Sequence, residues 1–300
     1  MQPRVILCPV DLSPLSHENS RHALAVAATS GARVVLLHVV EPLLVQAAAM
    51  TYDKDYLQEE ASRELSALVD AVARGPARDS TVVRVRVGLP HAEILQAARD
   101  ERADLIVAGT HAQSGPARLF FGSTTLRVLR EAAVPILAIP PGGRSLVKDG
   151  PHGPALAIGR VVAAVDFSDL TGPTIEAAAS AASRWQARLL LAHIVPEARG
   201  LERFTGLLRE HQAHRVAQAE KELELLAGEA RQKVSDVRVY AGSGRPEQLL
   251  GAISDEEPGT LLVMGLRHSA GMLSPQPGST AYQVLCLSRT PVLVVPARVQ

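Results

Sequence analysis

The sequence predicts two tandem α/β domains, each a doubly wound, five-stranded parallel sheet flanked by helices. Three observations carry that expectation. The 300-residue chain nearly repeats itself at an offset of 155 or 156 residues. Within each repeat, short apolar runs alternate with longer periodic segments, the pattern of strands joined by crossover helices in a sheet covered on both faces. Between the repeats lies Pro140–Pro154, PPGGRSLVKDGPHGP, whose prolines and glycines interrupt any regular element.

The repeat is read residue by residue. PVDLS at Pro9–Ser13 matches AVDFS at Ala164–Ser168, and LLHVV at Leu36–Val40 matches LAHIV at Leu191–Val195. Asp11 to Asp166 and His38 to His193 are both 155 apart. Gly88 and Gly244, Gly109 and Gly265, Gly122 and Gly278, and Pro135 and Pro291 are each 156 apart. A period this long is a duplicated domain, not a solenoid. The expected division is residues 1–141, a linker over 142–157, and residues 158–300.

The elements follow in order. Arg4–Val10 and Arg160–Val165 are apolar runs short enough for buried strands. Ser16–Ser30 and Thr174–Gln186 are alanine-rich helical segments, followed by strands at Arg33–Val40 and Arg188–Val195. Longer charged helices are expected near Tyr52–Arg74 and Leu201–Lys233. Thr81–Val87 and Val234–Tyr240 alternate with strand period. Gly-x-Pro then opens short helices at Pro90–Arg102 and Pro246–Ser254. Fourth strands are Asp104–Ala108 and Thr260–Met264, and a helix beginning near Gly-Ser-Thr leads to last strands at Pro135–Ile139 and Pro291–Val295.

Composition narrows the function classes. Lys plus Arg and Asp plus Glu both number 31, so net charge is zero. That argues against a broad nucleic-acid surface, which needs a basic face. No run of about 18 apolar residues is present, so no membrane span is expected. The N-terminal MQPRVILCPVD meets an acidic residue too early for a secretory signal. Cys8 and Cys286 form neither a disulfide framework nor a metal-finger spacing. The expected setting is the reduced cytoplasm, with no nucleic-acid or membrane partner.

In an open doubly wound sheet, ligands bind beyond the carboxyl ends of the strands at the topological switch. Asp11 and Asp166 follow the first strand of each copy, where each would serve as a ligand contact, a helix cap or a loop clamp. His38 and His193 end the second strands, where a packed or hydrogen-bonded histidine is the expected role. After the fourth strands come GTHAQSGPARLFFGST, Gly109–Thr124, and GLRHSAGMLSPQPGST, Gly265–Thr280. Gly-Ser-Thr at a helix start offers free N–H groups, hydroxyls and a favourable dipole to an anion; it would equally serve as a plain cap. His17 with His22, and His211 with His214, have spacings compatible with metal binding, but neither pair recurs in the other copy. No Gly-x-Ser-x-Gly elbow or lysine-bearing phosphate loop is present.

On Val10-Asp11-Leu12-Ser13, Leu37-His38-Val39, Gly88-x-Pro90, the glycine loop and Pro135-Ile136-Leu137, each half resembles a universal stress protein domain, with an adenine nucleotide alpha-hydrolase-like fold. Nucleotide-binding members of that family carry Gly-x2-Gly-x9-Gly-(Ser/Thr) and bind ATP without being strong catalysts. The resemblance implies an ATP site, with Mg2+ shared by the phosphates. It places Asp11 near the ribose and the Val39 backbone on adenine, with Pro9 and Val10 also in the nucleotide site. Ala108, Gly109 and Ala112 fall near the phosphates, held by Gly122, Ser123 and Thr124. The corresponding residues of the second copy are Val165, Asp166, Ile194, Met264, Gly265, His268, Gly278, Ser279 and Thr280. The resemblance also implies an intramolecular pseudo-dimer of the two domains through their last strands, with a homodimer of chains as a further expectation.

Each loop departs from the family pattern. Ala112 and His268 stand where the second glycine belongs; Pro275 and Pro277 remove two donors from the second loop. The first copy is therefore the expected binder. The functional expectation is a tandem universal stress protein that senses or stores adenine nucleotide and answers by a conformational or partner change. The alternatives are an interaction scaffold without nucleotide and, third, a slow ATP hydrolase; no catalytic residue is assigned.

Overall fold

The structure, a computed structural model, describes residues 2–53, 55–110, 122–151, 153–197, 205–267 and 280–297. It divides into two compact units, Gln2–Pro141 with Ser145–Ala157, and Gly142–Arg144 with the chain from Ile158 on.

The first unit runs β1 (Val5–Pro9), α1 (Leu15–Ser30), β2 (Arg33–Val40), α2 (Pro42–Ala48), α3 (Tyr56–Val72), α4 (Pro76–Asp79), β3 (Thr81–Val87), α5 (Pro90–Asp100), β4 (Leu105–Gly109), α6 (Ser123–Glu131), β5 (Ile136–Ile139) and an antiparallel hairpin, β6 (Val147–Gly150) and β7 (Gly153–Leu156). Its five main strands are all parallel, in the order β5, β4, β1, β2, β3. The chain winds from β1 to one side through β2 and β3, then returns to the other through β4 and β5. The switch therefore lies between β1 and β4.

The second unit repeats the plan with β8 (Arg160–Ala164), α7 (Thr171–Trp185), β9 (Arg188–Pro196), α8 (Thr205–Ala230), β10 (Val237–Gly244), α9 (Pro246–Asp255), β11 (Thr260–Leu266), α10 (Thr280–Leu287) and β12 (Val292–Pro296). The parallel order is β12, β11, β8, β9, β10.

Sequence dictates these elements locally. Strands buried on both faces need unbroken apolar runs, and Ile6, Leu7, Val34–Leu37, Ile106 and Val107 are almost wholly buried. Small residues let α1 lie close on the sheet: Ala23, Ala25 and Ala27 are buried. Gly31, at φ 68°, closes α1 through its N–H to Ala27 O at 2.8 Å. The second copy puts Gln186 in that left-handed position, at φ 53°, at a cost of about 1–2 kcal/mol. Cys8 is core: burial pushes its thiol up to about 12, which closes thiolate chemistry to it.

Several elements differ from the sequence expectation. α2 and α4 are additional short helices, each begun by a proline at its first turn. β10 starts and ends later than expected, because pairing with β9 carries it through Gly242 and Gly244 to Pro196. The proline- and glycine-rich segment between the repeats is not bare linker: Ser145–Ala157 packs on the first unit. Leu146 is buried, and its N–H donates to His22 Nε2 at 3.2 Å. His22 Nδ1–H donates to Glu18 O at 2.9 Å. Arg21 pairs with Asp149 at 2.7 Å, and Ser145 Oγ donates to the Glu18 carboxylate at 2.6 Å.

His22 thus carries one proton, on Nδ1, and its Nε2 must accept. Burial lowers its pKa; the Glu18 carbonyl and carboxylate oppose this and Arg21 adds to it, with a net depression. Asp149, paired with Arg21, is the charged group that the hairpin brings to these bonds. A histidine whose folded pKa lies below its unfolded one stabilises fully above the unfolded value, about 6.5. Stability is then lost as pH falls from there toward the folded value, by up to about 1.4 kcal/mol per unit. Urea unfolding between pH 7.5 and 5.5 is expected to show this acid-side loss in the parent and a shallower one in His22→Gln. Equal slopes would remove His22 from the docking.

Candidate functional site

The site begins with the turn after β1. Asp11 Oδ1 accepts from Ser13 N–H and from Ser16 Oγ, both at 3.0 Å, and Ser13 Oγ accepts from Leu15 N–H at 3.2 Å. Leu12 lies between them at φ 60°. The second copy repeats the device: Asp166 Oδ1 accepts from Ser168 N–H at 3.1 Å, Ser168 Oγ from Leu170 N–H at 3.2 Å, and Phe167 has φ 56°. A left-handed, non-glycine residue costs about 1–3 kcal/mol and persists only where its surroundings fix it. Here the aspartate clamps it. Partial burial raises the Asp11 pKa, but the bonds from Ser13 and Ser16 outweigh it and hold the carboxyl below its ordinary value. Asp11 is therefore a carboxylate at neutral pH, with Oδ2 unbonded among the described residues.

His38 Nδ1 is 3.0 Å from Val10 O and His193 Nδ1 is 2.7 Å from Val165 O. A carbonyl only accepts, so each ring carries its proton on Nδ1 and ties the end of the second strand to the first. This is the hydrogen-bonded role expected of both residues. Of the other histidines, His22 has both nitrogens bonded, while His17, His211 and His214 are exposed. No group of three potential metal ligands occurs among the described residues.

The glycines ending the fourth strands have a packing reason. A Cβ on Gly109 would stand 2.8 Å from Asn19 Nδ2; one on Gly265 would stand 2.8 Å from Leu170 Cβ and 2.9 Å from Thr174 Oγ1. At Gly265 the conflict is with the start of the helix itself, and at Gly109 with the Asn19 side chain. Gly109 O then accepts from Thr125 Oγ1 at 2.8 Å, fixing α6 to the strand end. Gly122 N–H donates to Thr110 O at 2.9 Å, and Gly122 O accepts from Leu126 N–H. The amide of Gly122 is thus engaged, and among the described residues the donors left at the start of α6 are those of Ser123, Thr124 and Thr125. Among the described residues no side chain caps this helix.

These parts enclose a cleft of about 280 Å³. Pro9, Val10, Asp11, Val39, Ala108, Gly109, Gly122, Ser123 and Thr124 all line it; Ala112 lies outside the described residues. Leu15 and Asn19 of α1, Glu41, Pro90 and Ile94 of α5, and Thr125 also line it, without having been singled out in the sequence. Pro90 was legible as the start of its helix and Thr125 as the next hydroxyl of the Ser-Thr-Thr run. Asn19 carries only the weaker signal of lying one helical turn beyond Leu15. Among the described lining residues the only formally charged side chains are Asp11 and Glu41, both acidic.

In the second copy, Val165, Ile194 and Met264 are buried at or near strand ends, Gly265 lies within β11, and Thr280 opens α10. His268, Gly278 and Ser279 lie outside the described residues, as do Pro275 and Pro277. Asp166 differs from Asp11 in its company: Arg267 stands 3.7 Å from Asp166 Oδ2 and 3.8 Å from Asp169.

The sequence model described as the Universal stress protein family matches residues 3–140 and 157–296. The chain belongs to the universal stress protein family. It carries two such domains in tandem. A universal stress protein of Methanocaldococcus jannaschii is 30% identical over 138 residues, 45% of this chain and 80% of that protein. One of Thermus aquaticus is 31% identical over 133 residues, 42% of this chain and 95% of that protein. The crystal structure of a universal stress protein from Archaeoglobus fulgidus covers 99% of both chains at a TM-score of 0.69 and 21% identity, a likeness of fold. No helix among the described residues is long and apolar enough to cross a membrane.

The two glycines give a paired prediction. A methyl on Gly109 meets the far end of the Asn19 side chain, which can swing aside. A methyl on Gly265 meets Leu170 at its Cβ, which moves only with the helix. Gly265→Ala is expected to destabilise the chain by about 1–3 kcal/mol, and Gly109→Ala by less, in urea unfolding. The reverse order would contradict the packing account.

Proposed function

We propose that the first copy binds adenine nucleotide, ATP first among them, and that occupancy alters the conformation or partners of the protein. The observation that carries this reading is the cleft itself. At the carboxyl ends of β1, β2 and β4 it gathers the nine described residues that the family resemblance assigns to nucleotide, beside orphan amides of α6. Its volume, about 280 Å³, stands at the lower edge of small-molecule sites, roughly 300–1,000 Å³. In this reading the adenine lies along the Val39 backbone with Pro90 and Ile94 as apolar wall. The ribose hydroxyls donate to Asp11 Oδ2. The phosphates extend toward Gly109 and the amides of Ser123 and Thr124. Gly122, its N–H engaged, serves by its lack of a side chain.

Electrostatics add a condition. Asp11 and Glu41 would repel a bare polyphosphate, and the described lining offers no cation against them. The oxygens of these carboxylates suit a hard divalent cation, so Mg2+ carried by the phosphates fits this cleft. The second copy is the weaker site in this reading, because Arg267 stands within ion-pair distance of Asp166 Oδ2 and competes for it. The acidic lining is also the observation that favours the second reading, an interaction scaffold of the same fold without nucleotide.

Titration calorimetry of the full chain is expected to give about one MgATP per chain, with weaker binding when Mg2+ is withheld. Asp11→Asn keeps an oxygen for Ser13 and Ser16 but loses the free acceptor. It should weaken binding about tenfold or more, with little change in unfolding midpoint. Unchanged affinity would take Asp11 out of the site, and a parent that binds no adenine nucleotide would favour the scaffold.

A further inference from the structure

Asn19 is a polar residue in an unusual position. It lies in the polar first half of α1, one turn before the alanine-rich stretch, is 93% buried (7% exposed), and still lines the cleft. Among the described residues its carboxamide makes no hydrogen bond. A buried amide is almost always hydrogen-bonded, and one without a partner needs an explanation. Packing alone does not supply one: alanine, which has the higher helix propensity, fills the buried position one turn further along the same face, Ala23. The second copy places Thr174 at the matching position, again against the strand-end glycine.

We infer that Asn19 is a ligand-binding residue of the first copy, its carboxamide N–H donating to a phosphate oxygen beside Gly109. This rests on the nucleotide reading of the cleft and adds a contact to it. Geometry selects the phosphate end. Asn19 Nδ2 is the atom closest to the side-chain direction of Gly109, at 2.8 Å. Gly109 is in turn bonded through its carbonyl to Thr125 in the first turn of α6. The carboxamide thus stands on the side of the cleft where the orphan amides of α6 lie, and adds a neutral donor where no cation is described. Neutrality matters there: the carboxamide tolerates the nearby Asp11 carboxylate without pairing to it.

The test is calorimetry of the full-length protein with MgATP and, separately, with adenosine. Asn19→Ala is expected to fold, since alanine has the highest helix propensity; Asn19→Asp keeps the shape and reverses the preference for an anion. MgATP should bind about tenfold or more weaker to Asn19→Ala, and weaker still to Asn19→Asp. Adenosine should bind all three within about twofold. Unchanged MgATP affinity in Asn19→Ala would overturn the inference, as would equal losses for MgATP and adenosine, which mark a purely structural role. A parent that binds neither compound would overturn the nucleotide reading itself, and this contact with it.

Discussion

The contact of helix α1 with the end of β4, made by Asn19 at Gly109, organises the rest of the site. Gly109 leaves the space that Asn19 enters. The same glycine's carbonyl receives Thr125, which anchors the start of α6 and aims its first amides into the cleft. The same end of α1 is fixed by the Asp11 turn, where a strained Leu12 is held between two serine contacts. His38 completes the frame by binding Val10 O from β2. Glycine, aspartate and histidine therefore have structural work in each copy whether or not a ligand is present.

That double role separates what is duplicated from what is specific. The aspartate turn, the histidine bond and the glycine contact recur in both units, so they belong to the fold. The differences lie in side chains facing the cleft. The first copy leaves Asp11 Oδ2 and the Asn19 carboxamide without partners among the described residues, whereas the second ties Asp166 to Arg267. The free carboxylate oxygen of Asp11, against the Arg267-paired one of Asp166, is the physical basis for placing ligand binding in the first.

Much of this was legible in the sequence because it is local. Apolar runs buried on both faces read directly as parallel strands, and Asp-x-Ser after a strand read as a site whether it clamps a turn or meets a ligand. The Gly-Ser-Thr start of α6 was legible too, but the engagement of Gly122 N–H by Thr110 O was not, because that bond spans the loop. The hairpin at Val147–Leu156 was read as linker, since its order comes from His22, Arg21 and Glu18, more than a hundred residues earlier. The end of β10 was lost for a similar reason: Gly-Ser-Gly reads as loop until β9 pairs with it. Asn19 was missed because it sits in a polar run, Ser16–His22, that reads as solvent-facing, and only the fold turns part of it inward.

The central claim, that adenine nucleotide occupies the first copy at the switch between β1 and β4, is tested most directly by hydrogen–deuterium exchange of the full chain with and without saturating MgATP. The account predicts slowed exchange in residues 9–19, 38–41, 105–110 and 122–126, with the matching segments of the second copy, 165–174 and 260–267, little changed. Protection confined to the second copy, or none in either, would contradict it.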